Sequence, residues 1–405
     1  MQALTQQPWL TAAASQTLLA ALGRSGAAPR FVGGCVRDGL LGQTSADLDI
    51  AIDQSPEDSI TLLQDAGIKV IPTGLKHGTI TAIVDGQPFE ITTLRVDVET
   101  FGRHATVAFT DDWQLDAARR DFTINAIYAD GDGRIFDPMD GQADLAAGRV
   151  IFVGDPTQRI AEDKLRILRF FRFLALFGRG TPDADALAAC TASAPGIAEL
   201  SGERVRNEIF KLLAASNPLP SLDLMAKAGI LQQILPDGFT LDNLARTDAD
   251  PLRRLSAIAS NNASGGASAI AARLRLSNQQ TKRLTFLMSP PAILSADIPR
   301  PALRQLLYDH GAEAITDLAL QQGIKDLVPR IKEATPPLFP LKGSDALAIG
   351  MKPGPMVGEA LRDLEAAWRA DDFTAGRDDL LEQLALNAED SKWLRPSLES
   401  THISK

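Results

Sequence analysis

Apolar residues change their spacing partway along this 405-residue chain. Through about residue 140 they alternate with polar ones in short runs, the period of strands. Beyond about 150 they recur every three or four positions, the period of helices. In the first part, FVGG (31–34) is a short apolar run ending in two glycines. VRDGLLG (36–42) predicts a short helix with Val36, Leu40 and Leu41 inward and Gly42 as its stop, and LDIAI (48–52) a buried strand. SPEDSITLLQDAG reads as a capped helix, with Ser55 at the N-cap and Pro56 at the first position. GTITAIVDGQPFEITTLRVDV gives two strands joined by a tight Asp85-Gly86 turn. WQLDAARRDFTINAIYADGDGRIFDP gives a short helix, a strand carrying Asn125, a glycine turn and a second strand.

Beyond that point QRIAEDKLRILRFFRFLALFG predicts one long amphipathic helix, and GERVRNEIFKLLAAS, SLDLMAKAGILQQIL, PRPALRQLLYDHG and MVGEALRDLEAAWRA predict more, set apart by Pro and Gly. The chain shows no fixed-period repeat. The expected fold class is α+β: a head built on a small mixed sheet over 1–148, a helical neck over 149–225, and a helical body and tail over 226–405.

Length points to more than one domain, and 45% hydrophobic residues can fill substantial cores. Cys35 and Cys190 cannot form a disulfide framework, and four scattered histidines suggest no zinc site. No leader pattern opens the chain, and no apolar run approaches the roughly 18 residues of a membrane span. The expectation is a soluble cytoplasmic protein without membrane attachment, and no protein partner is implied. A net charge of −10 disfavours non-specific nucleic-acid binding but permits a local basic face. Pro251 to Ala296 contains no Asp or Glu, yet holds Arg253, Arg254, Arg273, Arg275, Lys282 and Arg283. Of these, Arg273, Arg275, Lys282 and Arg283 are the candidate phosphate contacts.

Three constellations carry chemistry. Gly33 and Gly34 allow positive φ and close backbone approach to an anion. Asp47 and Asp49 alternate along a strand and so share a face, roughly 7 Å apart along it at ~3.3 Å per residue. Carboxylates so placed repel, and hard divalent cations such as Mg²⁺ remove the conflict. Glu90, on a neighbouring strand with Thr92 and Leu94 on its face, is either a third carboxylate of that site or a solvated edge residue. In the loop that follows, Arg103 and His104 are candidate substrate-facing residues. Arg119 and Arg120 offer forked donors to a triphosphate, and Asp121 and Asn125 could read ribose hydroxyls. Finally, Asp163, Arg166, Arg169 and Arg172 recur every third residue, which on a helix makes a ladder of donors and acceptors down one stripe. SGERVRNEIFKLL reads as a helix capped by Ser201, with Glu203 and Glu208 available for pairing, and is expected to brace the preceding helices.

These blocks, in the order GGCVRD…DLD, RRDFTINA, EDKLRILRFFRF and SGERVRNEI, resemble the class II tRNA nucleotidyltransferases (the CCA-adding enzymes) and their relatives the bacterial poly(A) polymerases. The resemblance spans roughly 28–215. It implies a polymerase-beta-type head with helical neck, body and tail, and template-independent addition of CCA to a tRNA 3′ end from CTP and ATP with two Mg²⁺ ions. By the same resemblance Asp47 and Asp49 are the metal-binding catalytic pair, and Gly33, Gly34, Arg37, Arg119, Arg120 and Asp121 lie near the triphosphate. Asp163 and Arg166 read the base edge, with Arg169 and Arg172 completing the ladder. The loop RVDVETFGRHA favours complete CCA over CC alone, and the absence of a basic run after the second metal strand favours CCA over poly(A). Two alternatives stand beside this reading: AMP addition to RNA ends, and a non-catalytic RNA-binding relative.

Overall fold

The computed structural model describes residues 4–45, 47–101, 104–236, 238–259 and 266–390. Its strands are β1 (Arg30–Val32), β2 (Asp49–Ile52), β3 (Lys69–Gly74), β4 (Thr79–Val84), β5 (Gln87–Thr93), β6 (Arg95–Phe101), β7 (His104–Phe109), β8 (Tyr128–Ala129) and β9 (Ile135–Phe136). Seven of them form one sheet in the order β3-β4-β5-β2-β1-β8-β9, while β6 and β7 make a separate hairpin. β2 and β5 run parallel and the other neighbours antiparallel, so the sheet is mixed as expected.

Alternation gives the sheet two different faces. Phe31, Ile50, Ile91 and Ile80 sit side by side in register and are buried, on the side covered by helices Ala13–Leu22 and Pro56–Asp65. The second helix starts as its sequence requires, with Ser55 Oγ accepting from Asp58 N at 3.1 Å and Pro56 in the first turn. The β4–β5 turn has Asp85 at φ 50° and Gly86 at φ 79°, the two left-handed positions of a tight hairpin. On the opposite face Val32, Ala51, Ala117 and Tyr128 form a smaller core with Trp113 and Phe136 packed against it.

Three local expectations are corrected. Asn125 lies in a 3-10 turn (Thr123–Asn125), not in a strand. Ser201 heads helix Gly202–Leu213 without a side-chain cap bond. The long helix is interrupted: Pro156–Glu162 and Leu165–Phe177 are separate, with Asp163 extended at φ −151°, ψ 107°. Asp163 Oδ1 accepts from Leu165 N at 3.1 Å, so the aspartate competes with the helical backbone and starts a new helix.

By compactness the chain divides into Met1–Ala245 with Ala249–Leu284, and Arg246–Asp248 with Thr285–Lys405. The first unit thus takes in the residues expected for head, neck and the first part of the body, and the second begins at Thr285. In the second unit one core gathers Leu303, Leu307, Ile315, Leu318 and Ile331, and another gathers Leu364, Trp368, Phe373, Leu380 and Leu384. Among the described residues no helix is long and apolar enough to cross a membrane.

Candidate active site

β2 begins at Asp49, so Asp47 precedes the strand rather than lying in it. The alternation nonetheless holds: Leu48 and Ile50 are buried, while Asp47 is exposed and Asp49 half-buried. Asp49 is the register partner of Glu90 on β5. Burial, then the charges of Glu90 and Asp47, push the Asp49 carboxyl up to about 6 against the opposing pull of Arg120. Acids crowded in this way favour a bound cation, so the donor set fits a divalent metal held by Asp47 and Asp49 with Glu90 beside them. Among the described residues no group of three or more His, Cys, Asp or Glu already stands in metal-holding geometry.

The glycine turn adjoins this face. Gly33 has φ 72°, and a Cβ there would meet Asn125 O at 3.7 Å and Arg120 Nη1 at 3.8 Å. Positive φ and this proximity are the reasons for glycine. Arg37, on the helix that follows (Gly34–Leu40), donates to Asn125 Oδ1 at 2.5 Å and to Asp38 at 2.8 Å, with its guanidinium 4.4 Å from the Phe177 ring centre. Asn125 Nδ2 donates to Asp121 Oδ1 at 3.0 Å, and Asp121 Oδ2 accepts from Arg169 Nε at 2.6 Å. Arg169 lies 3.9 Å from Glu208, which also pairs with Arg172 at 3.2 Å. One continuous polar chain therefore runs from the glycine helix to Leu165–Phe177 and on to Gly202–Leu213. Burial raises the Asp121 pKa, but Arg169 and Asn125 outweigh it and hold the carboxyl down.

Arg119 and Arg120 do not hang free. Asp116 Oδ1 accepts from Arg119 Nε at 2.9 Å, and Oδ2 accepts from Arg120 Nη2 at 3.0 Å and the Tyr128 hydroxyl at 2.8 Å. Burial opposes ionisation of Asp116, yet Arg120 and Arg119 hold its pKa at about 2. Sequence reasoning passed over Asp116, although its i, i+3 and i, i+4 spacing to the two arginines was a legible signal.

The expected ladder is not a single stripe. Asp163 sits outside the helix, and its Oδ2 accepts from Arg204 Nη2 at 2.6 Å. Arg166 donates to Glu162 at 2.5 Å, to Arg159 O at 2.8 Å and to Arg119 O at 3.3 Å. Asp163 and Arg166 are thus close but separately anchored, while Arg169 and Arg172 turn to Asp121 and Glu208. Glu208 pairs with the preceding helix as a bracing residue would; ion pairing of Glu162 and Arg204 was missed, and the i, i+4 spacing of Glu162 to Arg166 was its clearest trace.

The acid-free stretch is only partly a free basic surface. Arg273 donates to Ile197 O at 2.9 Å and Leu200 O at 3.3 Å, and buried Arg254 donates to Leu213 O and Ala215 O at 2.5 Å each. Arg283 pairs with Asp250 at 3.0 Å. Arg275 and Lys282 are exposed. Arg103 lies outside the described residues, and of His104 only its backbone position in β7 is described.

The Poly A polymerase head domain family matches residues 29–151, and the family described as a probable RNA and SrmB- binding site of polymerase A matches 181–240. The chain is 34% identical over 374 residues to the Mus musculus CCA tRNA nucleotidyltransferase 1, mitochondrial, covering 87% of this chain and 85% of that protein. It is 38% identical over 222 residues to the CCA-adding enzyme of Leuconostoc mesenteroides, 54% of each chain. Its fold is similar to the crystal structure of the Bacillus stearothermophilus CCA-adding enzyme in complex with CTP, at TM-score 0.76 and 25% identity, covering 97% of this chain and 99% of that one. The Thermotoga maritima CCA-adding enzyme complexed with tRNA shares the fold at TM-score 0.63 and 21% identity, over 92% and 94% of the two chains. An α+β head with this glycine turn and carboxylate strand, and identity sustained over most of the chain, show that it belongs to the CCA tRNA nucleotidyltransferase family.

Proposed function

We propose that this enzyme adds C, C and A in turn to the 3′ end of tRNA from CTP and ATP, without a nucleic-acid template and with release of pyrophosphate. The observation that carries the mechanism is the paired placement of Asp49 beside Glu90 next to the glycine turn. Asp47 and Asp49 would hold Mg²⁺, two ions in our reading, with Glu90 as the nearest further carboxylate. Bound there, the metal supplies activation of the RNA 3′-hydroxyl and charge neutralisation on the pyrophosphate. Arg120, fixed by Asp116 and facing Gly33, gives the turn a standing positive field for the triphosphate. Asp163 and Arg166 present an acceptor and a donor to the base edge. Cytosine and adenine show an amino donor beside a ring-nitrogen acceptor, whereas uracil and guanine show a carbonyl and a ring N–H. Exposed Arg275 and Lys282 add non-specific attraction for RNA phosphates. Both cysteines are buried and free, which suits a reducing compartment, and we read the protein as cytoplasmic.

The test is incubation of tRNA lacking its 3′ CCA with Mg²⁺ and each nucleotide, followed by product sizing. CTP alone should extend the RNA by two residues, and ATP should then add one. A long A tract with ATP alone would make it a poly(A) polymerase, and no extension would leave a non-catalytic RNA-binding protein.

A further inference from the structure

Arg120 is tied to two different parts of the head. Asp116 lies on the short helix (Trp113–Ala118) that leads into Arg120, so its bonds fix the arginine only relative to that helix. Tyr128 belongs to the sheet. It is the register partner of Val32, the residue before Gly33, and Gly33 N donates to Ile127 O at 3.2 Å. The strand pair that carries the tyrosine therefore also carries the glycine turn. The Tyr128 ring is fully buried and meets Trp113 edge-on at 5.3 Å and Phe136 at 6.0 Å between ring centres, so packing leaves its hydroxyl one place to point. That hydroxyl donates to Asp116 Oδ2 at 2.8 Å and accepts from Arg120 Nε at 3.1 Å.

We infer that Tyr128 is a positioning residue for the incoming triphosphate: its hydroxyl locks Arg120 to the β1–β8 pair and so sets the guanidinium's place beside the glycine turn. The inference rests on the function proposed above and adds to it a residue that touches no substrate. A guanidinium offers five N–H donors. In Arg120, Nε is spent on Tyr128 and Asp116, one Nη2 hydrogen on Asp116, and one Nη1 hydrogen on Asn125 O at 3.5 Å. One hydrogen on each terminal nitrogen is left, and such a pair forks onto phosphate oxygens. Nη1 stands 3.8 Å from the Cβ position of Gly33, so the fork lies beside the turn's backbone. The ion pair with Asp116 cannot hold that distance alone, because both of its members move with the helix. The phenol supplies the missing tie. It reads neither base nor sugar, so CTP and ATP should depend on it equally.

Tyr128→Phe keeps the ring and removes the hydroxyl. Calorimetric titration with CTP, ATP and inorganic triphosphate, each with Mg²⁺ and without RNA, should show Kd raised roughly fivefold for all three, the scale of one hydrogen bond. In steady-state extension the KM for tRNA lacking its 3′ end should stay within about twofold of the parent's. A purely structural role would lower the fraction of active protein and leave every Kd unchanged. In an Arg120→Gln background, where binding is already weakened, Tyr128→Phe should add less than about twofold, since the hydroxyl acts through the arginine. Asp116→Asn, which keeps the tyrosine and removes the charge it bonds, should weaken the same three ligands. Unchanged Kd values in either Tyr128→Phe or Asp116→Asn overturn the assignment. So does a rise confined to one nucleotide, or an undiminished effect of Tyr128→Phe in the Arg120→Gln background. A parent enzyme that binds these ligands but does not extend RNA would instead refute the proposed function, so the two failures are distinguishable.

Discussion

On one side of β2 the guanidinium groups of Arg37, Arg119, Arg120, Arg169 and Arg172 are each matched to a carboxylate. On the other, half-buried Asp49 sits beside the like charge of Glu90, and burial with that charge pushes its carboxyl up to about 6. The matched side is set before any ligand arrives, so it can hold a fixed geometry for choosing among nucleotides. The unmatched side stores repulsion that a cation relieves, so its charge state depends on metal and proton. On the proposed function, selection would be built into the protein and reactivity completed by a bound metal.

The largest effect should come from removing the unmatched charge. Asp49→Asn should lower turnover by three orders of magnitude or more, about 4 kcal/mol in activation free energy, with nucleotide incorporation as the measurement. Stability of the metal-free protein should move the other way. A carboxyl whose folded pKa is raised contributes stability that is complete below its unfolded value near 3.8 and is lost as pH rises through about 6. Above that pH the ionised Asp49 costs the metal-free fold on the order of 2 kcal/mol, so the variant should melt higher than the parent at pH 7.5. By the same reasoning Mg²⁺ should raise the parent's melting temperature more at pH 7.5 than at pH 5, where protons compete for the site. A variant that melts lower, or a Mg²⁺ effect independent of pH, would place the charge conflict elsewhere.

The matched side predicts the second effect. Asp121→Ala leaves half-buried Arg169 with Glu208 at 3.9 Å and the charge of Asp163, and the loss should fall below the about 3–5 kcal/mol of breaking a fully buried pair from one side. Urea unfolding should show that loss. Asp116 and Asp121 are both held below their ordinary values. Their contribution is therefore complete above about pH 4 and is lost as pH falls, for Asp116 down through about 2. The acid limb of the parent's stability curve should flatten in Asp116→Asn.

What the sequence shows and hides follows the same division. Features set within a few residues were legible: the Asp85-Gly86 turn from its need for positive φ, the Ser55 cap from its position before Pro56, the carboxylate face from period two. The metal-site candidates and the arginine segment were identified on those grounds. The partners of the arginines were not, because Asp121 to Arg169 and Arg172 to Glu208 are closed only by the tertiary fold. The break at Asp163 was hidden because apolar spacing runs on through it, while the side-chain bond to Leu165 N that starts the second helix leaves no trace in periodicity. The basic stretch misled in part, since composition cannot distinguish an arginine aimed at solvent from one spent on carbonyls, as Arg254 and Arg273 are.

Selection should respond separately from chemistry. Replacing Asp163 and Arg166 together by alanine should narrow the preference for CTP and ATP over UTP and GTP by about 1–3 kcal/mol for each unpaired group. Part of the readout is which anchors remain. Asp163→Ala alone also removes the carboxylate paired with Arg204, and Arg166→Ala alone leaves Glu162 paired only with Arg159 at 2.8 Å, so the single variants should perturb stability as well. Competition assays at equal nucleotide concentration measure the preference. Undiminished exclusion of UTP and GTP by the double variant would move base choice to other residues.

The smallest effect concerns RNA affinity away from the site. Arg275 and Lys282 are exposed, whereas Arg273 holds the carbonyls of Ile197 and Leu200 and has its pKa lowered by burial. Charge reversal at Arg275 and Lys282 should weaken tRNA binding at low salt and lower the slope of log affinity against log salt by about one for every phosphate the protein no longer neutralises. Nucleotide KM values and melting temperature should hold. Arg273→Ala should do the reverse, lowering the melting temperature by removing two carbonyl bonds, at about 1 kcal/mol each, with little change in salt slope. The pair of results distinguishes a surface that meets phosphate from one that braces the 3-10 turn Ala194–Glu199. Equal loss of tRNA affinity in both variants would mean that Arg273 acts through the shape of that surface, and that its basic charge is incidental to binding.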